Sequence, residues 1–142
     1  PMHSRETLSN AMDVGDPSNF KRVNEIFDLD LKKMKDIIYA FSFTDYQTRD
    51  AIKDVLKNFN YICDPHGAIG YLGAKKYINS HSESHCIFLE TAHFYKFYDE
   101  IKNLIDVEFN IPFQLKKILD KEKKSVGIKD YNHFKEYINS HL

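Results

Sequence analysis

The sequence has little of what would mark a secreted or membrane protein. Two cysteines, Cys63 and Cys86, are too few for a disulfide framework in 142 residues. No apolar run approaches the ~20 residues that cross a bilayer. An excess of one charge is missing as well: 20 Lys and Arg face 21 Asp and Glu, leaving no large field to recruit nucleic acid or an anionic membrane. Neither kind of partner is therefore expected. The opening Pro1-Met2-His3-Ser4-Arg5 has no apolar signal core after it, which gives secretion no support and reads as an abrupt start. These absences set a reducing, soluble, cytoplasmic compartment as the default expectation.

What is present is a core. With 42% hydrophobic and 14% aromatic residues, the chain can bury the interior of one compact domain. No internal repeat, low-complexity segment or long linker divides it.

Residues 1 to 17 are polar and end in the breaker Gly15-Asp16-Pro17, so they read as an ordered loop with Ser18 as a helix cap behind it. Phe20, Val23, Ile26 and Phe27 then keep a helical spacing, and Asp30 can cap a second helix carrying Leu31, Met34, Ile37 and Ile38. Tyr39 to Phe43 is an aromatic strand candidate, and Thr44 with Gln47 forms a capping box for a helix reaching about Phe59. Tyr61-Ile62-Cys63 is a second short strand candidate, with Asp64 as cap and Pro65 at the first position of a helix to about Asn79. Cys86-Ile87-Phe88-Leu89 is a third, followed by amphipathic helices near 97–105, 114–124 and 130–140. Alternating strand and helix argues for an α/β fold with an incomplete parallel sheet, flanking helices and a helical C-terminal tail. The expected division is 1–98 for the sheet-bearing part and 99–142 for a helical extension packed on it.

Three segments are placed to carry chemistry: the loop Thr7 to Phe20, the turn Asp64 to Tyr71, and the strand end Leu89-Glu90-Thr91-Ala92-His93. Open parallel sheets bind ligands beyond the carboxyl ends of their strands, where the second and third segments fall. Each also has a plain structural reading. A capped helix start such as Asp64-Pro65-His66 can attract an anion, although most hold none. Gly67, Gly70 and Gly73 lie on one helical face, where close packing against a neighbour explains them better than a phosphate cradle. Cys63, His66, His81, His85 and Cys86 have residue types that suit zinc but spacings that do not, so no metal is expected. Lys21 sits on a helical polar face with no evident base, and Lys116 to Lys124 reads as a solvated helix face.

Taken together, Ser9-Asn10-Ala11-Met12-Asp13, Pro17-Ser18-Asn19-Phe20, Asp64-Pro65-His66 and Thr91-Ala92-His93 resemble the longer-type threonine synthases of enteric bacteria and fungi, in order and approximate spacing, from about Thr7 to the end. The resemblance implies the carboxy-terminal third of a pyridoxal-phosphate lyase of fold type II, the tryptophan-synthase β-like fold. Its full-length form would convert O-phospho-L-homoserine and water into L-threonine and phosphate. It further implies that the Schiff-base lysine and the loop gripping the cofactor phosphate belong to a missing amino-terminal part, so the isolated fragment is expected to be inactive. Carried over residue by residue, Thr91 would meet the pyridine nitrogen of the cofactor, with His93 nearby. Asn10, Ala11 and Met12 would lie on the cofactor side, and Asp13 and His66 on the substrate side. Two departures stand out: Phe94-Tyr95 replaces the family's usual Pro-Ala, and Gly67 stands where Thr, Ser or Ala is more usual. The rival reading is a noncatalytic binding or assembly domain derived from the same fold.

Overall fold

The computed structural model describes residues 3–10, 13–119 and 121–141. Among them are seven α-helices: α1 (Phe20–Ile26), α2 (Leu31–Ile37), α3 (Asp45–Phe59), α4 (Pro65–Ser80), α5 (Tyr98–Ile101), α6 (Phe113–Leu119) and α7 (Tyr131–His141). A 3-10 helix, Phe94–Phe97, leads into α5. The chain divides into two compact units, Pro1–Glu108 and Phe109–Leu142.

The first unit is organised by α3 and α4. Thr44 supplies the expected capping box for α3: its hydroxyl accepts from the Gln47 amide, and the Gln47 side chain accepts from the Thr44 amide at 2.9 Å. Replacing Thr44 with alanine is expected to lower the unfolding free energy by about 1 kcal/mol, read by urea denaturation. One stripe of α3, Thr48, Ala51, Ile52 and Val55, is buried at helical spacing, and the Thr48 hydroxyl inside it is satisfied by the Thr44 carbonyl. At the opposite end Asn60 turns the chain in the left-handed region, which its short polar side chain tolerates. Pro65 opens α4 as expected, and the Asp64 carboxylate accepts from the His66 amide at 2.8 Å. Leu8, Cys63, Ala68, Phe97, Ile101 and Ile105 complete the core. Residues 99–108 thus sit within the first unit, because Ile101 and Ile105 are part of its interior.

The expected strands do not form a sheet: among the described residues no strand occurs. Tyr39–Phe43, Tyr61–Cys63 and Cys86–Leu89 run without ladder partners. A strand is defined by pairing, and apolar alternation alone cannot supply the neighbour. The alternation itself survives in the packing. Phe88 lies against Gly70 of α4 and Glu90 against Gly67, whereas Ile87 and Leu89 between them are 92% and 75% exposed. Phe41 likewise lies against Gly73, so the glycine face of α4 does serve close approach. A groove of about 470 Å³ separates Tyr39 and Phe41 from Cys86 to Leu89.

Other boundaries shift for local reasons. Ser18 does not cap α1; Asn19 holds that position in helical geometry without a side-chain bond, after a turn in which the Phe20 amide donates to the Pro17 carbonyl. The helix expected near 97–105 is split into the 3-10 turn and the short α5. In the second unit α6 ends at Leu119 rather than near 124, where Lys121 to Lys124 is exposed and offers no apolar position to bury. There, α7 is capped by Asp130, whose carboxylate accepts from the His133 amide at 2.9 Å.

Candidate functional site

The end of the third extended segment is built by its alternation. Cys86, Phe88 and Glu90 fall on one side and Ile87, Leu89 and Thr91 on the other, as successive side chains must in an extended chain. The inward side meets α4 at Phe88 and Glu90. By the same alternation Thr91 shares the parity of Ile87 and Leu89, and like them it is exposed. Two residues on, His93 caps the 3-10 turn: its Nδ1 accepts from the Tyr95 amide at 3.2 Å, and its ring stacks on Phe94 with centroids 4.5 Å apart.

Glu90 was not singled out by sequence reasoning, yet it joins this segment to the start of α4. Its Oε1 accepts from the Asp64 amide at 2.7 Å. Asp64, whose side chain is fully buried, accepts from both the amide and Nδ1 of His66 through a single oxygen, at 2.8 and 2.9 Å. Asp64 Oδ2, Glu90 Oε2 and His66 Nε2 are buried and lack partners. Burial pushes the Glu90 carboxyl up to about 7; the nearby Asp64 carboxyl adds to the rise, against the lowering pull of the Asp64 amide. Gly67 makes the arrangement possible, since a Cβ there would stand 1.7 Å from Glu90 Oε2. That contact is a structural reason for glycine at a position where the resemblance expects a larger residue.

The amino-terminal loop reaches the same region. Asn10 lines a cavity of about 260 Å³ with Tyr95, Lys96, Phe97, Tyr98, Asp99 and Glu100. Phe97 in turn packs on the His66 ring, centroids 5.3 Å apart. All three segments therefore converge in the first unit. Within the loop Asp13 is occupied locally, its carboxylate accepting from the Thr7 amide at 2.8 Å and the Thr7 hydroxyl at 2.6 Å. Ala11 and Met12 lie outside the described residues. The zinc-type residues are dispersed in role: Cys63 is buried, with its thiol pushed up to about 12 mainly by burial, and His81 stacks on Tyr77 at 4.1 Å.

Residues 67–138 match the family described as "Threonine synthase, C-terminal". The chain belongs to that family. Threonine synthase of Haemophilus influenzae is 34% identical over 117 residues, 82% of this chain and 27% of that protein. The Escherichia coli enzyme is 32% identical over 115 residues, 81% of this chain and 26% of its own length. The chain thus spans about a quarter of these curated relatives. A crystal structure of threonine synthase from Escherichia coli superposes on 100% of the chain and 32% of its own with a TM-score of 0.85 at 29% identity. A pyridoxal-phosphate-bound threonine synthase from Brucella melitensis covers 99% of the chain with a TM-score of 0.68 at 25% identity. The family resemblance drawn from the three segments is therefore correct, and the loop and Asp64 to His66, which precede the family match, fall inside the structural one.

Proposed function

We propose that the protein carrying this chain is a pyridoxal-phosphate-dependent threonine synthase that converts O-phospho-L-homoserine and water into L-threonine and phosphate, with this chain as its carboxy-terminal part. The observation carrying the reading is the superposition of the whole chain on about a third of the Escherichia coli enzyme. The fold type II architecture belongs to the same reading. Ile87 and Leu89 present an apolar edge, and the groove beside Phe41 has room for a neighbour, so the extended segments would become sheet strands against the rest of the enzyme.

Thr91 fits a pyridine-type ring on an observation of its own: it offers a neutral hydroxyl on an exposed residue at the end of the third extended segment. When bound, the cofactor supplies an electron sink for negative charge at the substrate carbon. Thr91 Oγ1 would donate to the ring nitrogen, and being neutral it would not hold a proton there as a carboxylate would, which limits how strongly charge is withdrawn. Asn10, which lines a cavity with the 3-10 turn, and His93, which caps that turn, are assigned to the cofactor side, and Ala11 and Met12 belong to the same loop as Asn10. Asp13 and His66 are assigned to the substrate side, Asp13 through the loop that it closes on Thr7.

The test is to supply the complete protein with pyridoxal phosphate and O-phospho-L-homoserine and to measure phosphate and L-threonine together. Equimolar appearance of both is expected; absence of phosphate release overturns the reading in favour of a noncatalytic assembly domain. Thr91→Val, which removes only the hydroxyl, is expected to lower kcat/KM by about tenfold, the worth of one lost hydrogen bond in a desolvated site.

A further inference from the structure

We propose that Glu90 and Asp64 share a single proton, forming a carboxyl clasp between the third extended segment and the start of α4 that fixes the direction of the Thr91 hydroxyl. The positioning half of this inference rests on the reading of Thr91 given above; the clasp itself does not.

Three buried atoms without partners, Asp64 Oδ2, Glu90 Oε2 and His66 Nε2, lie at one helix start. Unpaired buried polar atoms are costly, and the two carboxyl oxygens in this set are both acceptors unless one of them carries a proton. Glu90 Oε1 lies 2.7 Å from the Asp64 amide, which brings the two buried carboxyl groups to the same helix start. One proton between their free oxygens turns two mutually repelling acceptors into a donor and an acceptor, and satisfies both. The remaining oxygens are already used: Glu90 Oε1 by the Asp64 amide, and Asp64 Oδ1 by His66. The titratable groups facing Glu90 are Asp64, Cys63 and Tyr61, all on the segment entering α4, with His66 behind Asp64. None of the groups perturbing Glu90 is a lysine or arginine that would compensate a second negative charge.

The consequence for Thr91 is geometric. In an extended segment neighbouring side chains point to opposite sides, and a slip of one residue would reverse them all. Phe88, which lies against Gly70, is two residues before Glu90 and does not itself reach the start of α4. Anchoring Glu90 to α4 commits residue 91 to the other side, so Glu90 acts as a positioning residue.

The test uses the complete protein as the wild type and as Glu90→Gln and Glu90→Ala. A clasp that closes on a protonated Glu90 is intact below the ordinary carboxyl value of 4.5 and weakens as pH rises through the window to about 7. In the wild type, hydrogen-exchange protection of the Asp64 amide, which donates to Glu90 Oε1, corrected for chemical exchange, is therefore expected to fall by up to about tenfold per pH unit across that window and then level off. Glu90→Gln, whose amide can donate to Asp64 and accept from its N–H, should show pH-independent protection and wild-type affinity for pyridoxal phosphate. Glu90→Ala should lose protection at every pH and bind the cofactor at least about tenfold more weakly. An infrared carbonyl stretch of a protonated carboxylic acid should appear in the wild type at pH 6 and vanish in both variants. Protection that ignores pH in the wild type, with no such band, overturns the shared proton. Protection and band as expected, with cofactor affinity unchanged in Glu90→Ala, overturns the positioning role and places the error in the reading of Thr91.

Discussion

Truncating Ile52 to alanine is expected to lower the unfolding free energy by about 3 kcal/mol, within the 2–5 kcal/mol that removing a buried aliphatic side chain costs. Ile52 has no exposed surface, and it lies mid-way along α3 in the stripe Thr48, Ala51, Ile52, Val55. Part of the loss is the transfer of three carbons back to water, and part is the cavity left behind. The cavity term should be large because the neighbours are poorly able to collapse. α3 packs on α4, whose buried Ala68 is already small, as is Ala51 beside Ile52 in the chain, and the start of α4 is fixed by the Asp64 cap and by Pro65. Ile52→Val, which removes one methyl group, should cost about 1 kcal/mol. In urea the midpoint should fall with an unchanged slope, because the same surface is exposed on unfolding. A loss below about 1 kcal/mol for the alanine variant would mean that the stripe on α3 is not the centre of the interior.

The helices were legible in the sequence wherever local chemistry decides them. Thr44 with Gln47 and Asp64 with Pro65 are signals complete within four residues, and both helices begin where those signals place them. Ser18 failed because a cap needs the right backbone angles as well as the right side chain, and the turn from Pro17 gives that place to Asn19. The sheet failed for a different reason. Period-two apolar runs predict which side chains share a side, and this holds for Cys86 to Thr91, but ladder bonds need a partner that the run cannot specify.

In the candidate site, the three segments were legible as motifs, and they do converge through Asn10, Phe97, His66 and Glu90. Glu90 was overlooked because an acid at the end of an apolar run reads as the place where a strand meets water. The signal available was its period: it shares the parity of Cys86 and Phe88, the inward side, so an acid there needed a partner. Asp13 carries a structural role that the sequence did not show. A carboxylate in a candidate loop suggests chemistry, whereas its oxygens hold Thr7 and so close the loop that presents Asn10.

Alanine substitutions along the glycine face of α4 should have opposite signs at its two ends. At Gly73 a Cβ would meet Phe41 at 3.6 Å, an ordinary contact, so Gly73→Ala should stabilise by about 0.5–1 kcal/mol through the restricted unfolded chain and better helix propensity. At Gly67 the same methyl would stand 1.7 Å from Glu90 Oε2 and 2.6 Å from its Cδ, so the carboxyl must leave. Its departure strips the Asp64 amide of its acceptor and opens the contact between the third segment and α4. Gly67→Ala should therefore destabilise by about 1–3 kcal/mol despite the same gain in propensity. Because the penalty acts through Glu90, it should nearly vanish once Glu90 is alanine. The double variant should then be about as stable as Glu90→Ala alone, giving a coupling of about 1–3 kcal/mol in a double-mutant cycle. Additive losses in urea denaturation would show that Gly67 answers to some other neighbour, and would remove the steric reason for a glycine at the start of this helix.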